Sequence, residues 1–170
     1  MNAIENRIQL LETVTDCVEL LGCGYFDPVE HFSPNNSEIP FELNESFVRF
    51  LRKTRIERNV PTVVFGTSKL LQDVTDEYNY NSGKNGIISE LGRNYKLNLW
   101  HLWSLLLKQP NGGSGLLKES HRPNLLYVDK TESVISVFRN GGVWNIGEYS
   151  IKEKDGWKSS SLIIHRKDGE

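Results

Sequence analysis

Four side chains in the last third of the chain carry the groups that can cleave a phosphodiester without a metal. His121, Arg139, Glu148 and His165 offer two imidazoles, a guanidinium and a carboxylate. Such chemistry needs a base, an acid and a cation held against the phosphate. These four meet that need only if one antiparallel sheet brings them together. No motif ties them to each other, and charged residues on a sheet most often face solvent.

Two charged groups suggest binding rather than catalysis. Glu5, Glu12, Asp16 and Glu19 fall mostly on one side of a helical wheel drawn over the N-terminal segment. Arg49, Arg52, Lys53, Arg55 and Arg58 form the densest basic run, and a basic segment can contact phosphates. The charge of the whole chain is split in the same way. Residues 1–48 hold nine acidic residues against Arg7 alone, whereas the remainder holds 19 Lys and Arg against 13 Asp and Glu. The net charge of −2 hides this division. An acidic segment and a basic body either face each other or face different partners.

Several chemistries lack their signals. His31, His101, His121 and His165 are too far apart in sequence to form a chelating pair, and Cys17 and Cys23 have no zinc-site spacing, so no metal site is expected. The two cysteines read as reduced thiols of a cytoplasmic protein. Gly112, Gly113 and Gly115 do not match a phosphate-binding loop, and no cofactor motif is present. No signal peptide and no membrane-spanning run is visible.

The elements that must position these residues are read from periodicity. Ile4, Ile8, Leu11, Thr15, Val18 and Leu21 predict an amphipathic helix over Asn2 to Leu21. Asn44 is placed to cap a second helix, from Glu45 to about Glu57. Val60 to Phe65 reads as an edge strand, because Pro61 is tolerated there. Thr67 reads as the cap of a helix carrying Leu70, Leu71, Val74 and Tyr78. Residues 87–108 are helical in pattern, with a break near Gly92 and Asn94. The later part is apolar around most of its circumference, which predicts burial of Leu99, Leu102, Trp103, Leu106 and Leu107. His101 falls in its narrow polar arc, at the rim of the core.

Leu125 to Val128, Ser133 to Arg139, Val143 to Lys154 and Trp157 to Arg166 read as strands. Asn140-Gly141 and Asp155-Gly156 supply two-residue hairpin turns. They set Val137 opposite Trp144, Ile135 opposite Ile146 and Glu153 opposite Lys158. A three-residue turn through Gly142 is the alternative for the first hairpin.

The expected fold is therefore α+β: a helical N-terminal half packed on a C-terminal four-stranded antiparallel meander. One domain spans residues 1–170, with a helical half to about 110, a Gly-rich connection over 110–115 and the sheet over about 124–167. The expected function is that of a small interaction protein of inhibitor or immunity type, neither an enzyme nor dependent on a cofactor. Its partner would be a basic protein held by Glu5, Glu12, Asp16 and Glu19. The alternative is a metal-independent ribonuclease or RNA-binding protein acting through the sheet.

Overall fold

β-Structure dominates from the first described strand onward. The computed structural model describes residues 9–33, 38–71, 73, 87–91, 95–119, 122–151 and 156–167. In chain order the elements are β1 (Leu11–Leu20), β2 (Cys23–Phe26), α1 (Pro28–His31), β3 (Phe41–Leu43), α2 (Glu45–Arg52), β4 (Glu57–Val60) and β5 (Val63–Leu70). There follow α3 (Ile87–Leu91), α4 (Leu99–Lys108), β6 (Asn124–Tyr127), β7 (Ser133–Asn140), β8 (Val143–Ser150) and β9 (Leu162–Arg166). Among the described residues, seven strands form one sheet in the order β1-β5-β9-β6-β7-β8-β3, and β2 pairs with β4 separately.

This overturns the α+β expectation of a helical half on an antiparallel meander. Leu11–Leu20 is a strand because Thr13, Val14, Thr15 and Val18 are β-branched, which crowds a helix and suits a pleated surface. Its helix-like spacing has a cause. A bulge between Val14 and Cys17 interrupts the alternation, so Leu11 faces Leu70 and Leu20 faces Val63 on opposite sides of the sheet. Thr67 lies inside β5 and caps no helix. The second helix stops at Arg52, and Glu57 already opens β4.

The sheet is also mixed rather than antiparallel. β9 runs parallel to β6 and antiparallel to β5, and β3 runs parallel to β8. The meander therefore ends at β8, and the last strand lies on the far side of β6. Leu125, Leu126, Tyr127, Ile163 and Ile164 are all buried, as expected of central strands covered on both faces. One face carries Phe65, Leu126, Ile135, Val137, Trp144, Ile146 and Ile164 under α2 and α4. The other carries Leu70, Leu125, Tyr127, Val134 and Ile163 under α3, Leu10 and Trp157.

The β7–β8 hairpin turns at Gly141-Gly142, with φ of 62° and 80°. Asn140 pairs with Val143, Arg139 with Trp144 and Val137 with Ile146. The partner of each β7 residue has slipped by two positions from the expected register. A slip of two keeps every side chain on its face, so Trp144 is buried as expected. The expected Asp155 turn and the Glu153 pairing lie outside the described residues. Lys158 is exposed, while Leu107 is 41% exposed and does not join the core.

Candidate functional site

Of the four residues drawn together by the ribonuclease expectation, the three that are described do not share a site. Arg139 lies opposite Trp144 and Glu148 opposite Ile135, on the same face. Four residues of strand separate those two rows, roughly 13 Å. His165 aligns with Gly66 on β5, on the opposite face of the sheet. There Ser68 Oγ lies 2.8 Å from His165 Nε2, and His165 Nδ1 lies 3.1 Å from the Arg166 carbonyl. His121 lies outside the described residues.

Arg139 is itself committed to structure. Its guanidinium lies 2.8 Å from Glu119 Oε1, donates to the Gly142 carbonyl at 2.9 Å and packs on the Trp144 ring. Glu148 accepts a long hydrogen bond from Ser133 Oγ at 3.4 Å. The glycine-rich loop closes around buried Gln109, whose amide bonds Gly113 O, Leu117 O and Leu117 N. At Gly112 a side chain would strike Glu119 and would have to adopt φ of +80°.

Of the acidic residues expected on one helical face, Glu12 and Glu19 are parted. Glu12 pairs with Lys69 and Glu19 with Val64, so the two exposed carboxylates point to opposite faces of β1. Asp16 sits within the bulge, and Glu5 lies outside the described residues.

A different group of charges does converge. A cleft of about 520 Å³ opens between the α2–β4 connection, the start of α4 and the turn after β6. Its lining includes Lys53, Arg55, Arg58 and Lys130, all exposed. Among the described residues, none of these four cations makes an ion pair. Only Glu57 and Asp129 oppose them in the lining.

Each wall is built by local bonds. Thr54 Oγ1 donates to the Leu51 carbonyl at 2.6 Å and turns the chain sharply after α2. β4 then alternates, with Glu57 inward and Arg58 outward, since Glu57 pairs with buried Phe26 and Arg58 with exposed Tyr25. Across the cleft, Thr131 Oγ1 donates to the Val128 carbonyl and accepts from the Ser133 amide. This turn holds Lys130 at φ of +59°. A long side chain rarely adopts that conformation, which costs about 1–2 kcal/mol. Lys96 Nζ donates to the Thr131 carbonyl at 2.9 Å and braces the same turn.

The cleft floor is the start of α4. Glu57 accepts from the amides of Leu99 at 3.0 Å and Trp100 at 2.9 Å, and so satisfies the helix terminus. Burial pushes its carboxyl above the usual range. The Trp100 and Leu99 amides and the Asn98 side chain pull it back, while Asp129 adds repulsion. Behind it, His101 Nδ1 accepts from the Asn98 amide at 3.1 Å, and Nε2–H donates to the Pro61 carbonyl at 3.1 Å. This ring is fully buried, not at the rim as its polar arc suggests. Burial lowers its pKa to about 4, consistent with a neutral ring serving both bonds.

The geometry provides cations without an acid–base pair, and so a place to hold an anion. Among the described residues, no three His, Cys, Asp or Glu side chains gather to hold a metal ion. No helix among them is long and apolar enough to cross a membrane. Comparison with protein families, curated proteins and solved structures finds no match for this chain. The basic run was visible in sequence. Lys130 was missed, because nothing local links it to residues some seventy positions earlier.

Proposed function

We propose that the protein is an interaction module that binds the phosphate backbone of a nucleic acid through the cleft of Lys53, Arg55, Arg58 and Lys130. One observation carries this reading: four exposed cations from two separate segments line one concavity and, among the described residues, form no ion pair. Exposed cations that neutralise phosphates release counterions, which supplies affinity without sequence readout. Glu57 does not cancel them, because its carboxylate is turned to the α4 amides. The two free thiols, Cys17 and Cys23, support a reducing, cytoplasmic setting. No catalytic step enters this reading.

Fluorescence anisotropy with a labelled oligonucleotide tests it. The wild-type chain should bind in low salt, and Arg55→Glu/Arg58→Glu should abolish binding while the melting temperature stays within a few degrees. Equal binding by both proteins would refute the assignment.

A second reading keeps a basic protein partner, as for an inhibitor. Glu12 and Glu19 favour it, since both are exposed on β1, which ends the sheet order among the described residues. Against it stands their separation, since the bulge between them turns the two carboxylates to opposite faces of β1. Glu12→Lys/Glu19→Lys should leave oligonucleotide binding intact or improve it. A loss of binding in that variant would count against the cleft.

A further inference from the structure

The exposed ring beside the cleft narrows the class of ligand. Tyr25 is 51% exposed on β2, and the Arg58 guanidinium lies over it at 5.3 Å from the ring centroid. Arg58 also lines the cleft, so one side chain joins an aromatic surface to a cationic one. The backbone that carries the ring is fixed by its strand. β2 pairs with β4 through Cys23 with Val60 and Tyr25 with Arg58, and the Cys23 thiol donates to the Tyr25 carbonyl at 2.9 Å. A rigid aromatic costs little entropy when a base settles on it. Ile56, 41% exposed, extends the apolar surface at the cleft wall.

We infer that the ligand is single-stranded nucleic acid, with a base stacked on the Tyr25 ring and the adjoining phosphates held by Lys53, Arg55, Arg58 and Lys130. This rests on the cleft reading and goes beyond it, because cations alone would accept any polyanion. A cationic groove next to an aromatic platform is the arrangement that selects unstacked bases, since every base offers a π-face. The concavity points the same way. At about 520 Å³ it lies in the roughly 300–1,000 Å³ range of pockets that take small organic groups. A duplex keeps its bases stacked inward and offers none to Tyr25.

The experiment uses the full chain and three probes. These are a mixed-sequence single strand of about 12 nucleotides, tested as both RNA and DNA, its duplex, and inorganic polyphosphate; the length fits one small groove. The single strand should bind best. Tyr25→Ala should weaken that binding roughly tenfold and leave polyphosphate binding unchanged, and Tyr25→Phe should restore it. Tyr25 is half exposed, so the variants should melt with the wild type, which a thermal scan verifies. If duplex and polyphosphate compete as well as the single strand and Tyr25→Ala binds normally, the stacking inference fails while the cleft stands. If none of the three probes binds, both fail.

Discussion

The two ends of helix α4 put their cations to opposite uses. At its C-terminal end, Arg139 is 13% exposed and its donors are taken by Glu119, Gly142 and, at 3.5 Å, Pro110. Gln109 nearby is buried, and its backbone carbonyl accepts from Trp144 Nε1 at 2.7 Å. At its N-terminal end, Lys53, Arg55, Arg58 and Lys130 are exposed and form no ion pair among the described residues, while the acid behind them serves the helix. An arginine on a sheet suggested a phosphate clamp, yet the structure spends it on a corner. The cations left free are those worth testing.

Removing what both ends share should have the largest effect. Leu106→Ala empties a fully buried site within α4 and should cost about 2–5 kcal/mol in a urea titration. A small shift in midpoint would show that α4 does not anchor the two ends.

Acid should act next most strongly, through the cleft end. His101 has a folded pKa near 4, below its unfolded value of about 6.5. Its contribution is therefore present above pH 6.5 and is lost as pH falls toward 4, amounting to about 3 kcal/mol. Glu57 works against this, because a raised carboxyl pKa makes the folded state gain stability as pH falls. Denaturation midpoints across this window should fall with pH, and His101→Gln should flatten the slope. A flat wild-type profile would contradict the buried neutral ring.

Arg139→Ala should cost about 2 kcal/mol, because it strips charge-assisted hydrogen bonds from a mostly buried corner. Partial exposure of Glu119 keeps the figure modest. Oligonucleotide affinity should not change. A loss of affinity without a loss of stability would erase the contrast between the two ends.

The smallest effect on stability should come from Lys130→Asn. Asparagine tolerates φ near +59° better than lysine, so stability should rise by about 0.5 kcal/mol while affinity falls severalfold. A variant that gains stability and loses binding would show that the strained lysine is kept for its charge.

What the sequence made legible follows from the range of each signal. The narrow polar arc of α4 correctly marked Leu99, Leu102, Trp103 and Leu106 as core. It misplaced His101, whose two backbone partners lie at the helix cap and at Pro61. The turn expected at Asn140-Gly141 lies one residue later, at Gly141-Gly142, and the resulting slip of two preserves faces. β1 was misread because a bulge makes a strand resemble a helix in its spacing. β9 was misplaced because its neighbours, β5 and β6, are chosen by long-range pairing that no local pattern announces. The same holds for the cleft. Its basic run was legible, but its second wall and the Tyr25 platform depend on tertiary contacts.

The central claim is that four free cations at the start of α4 hold phosphates. The most direct measurement is the salt dependence of single-strand binding for the wild type and for Lys53→Ala/Arg55→Ala/Arg58→Ala/Lys130→Ala. Four neutralised phosphates predict a slope of log affinity against log salt of about −3, since a single strand contributes roughly −0.7 per phosphate. The quadruple variant should lose binding, or retain a residual slope near zero. A wild-type slope near zero, or one that the four substitutions leave unchanged, would contradict the account.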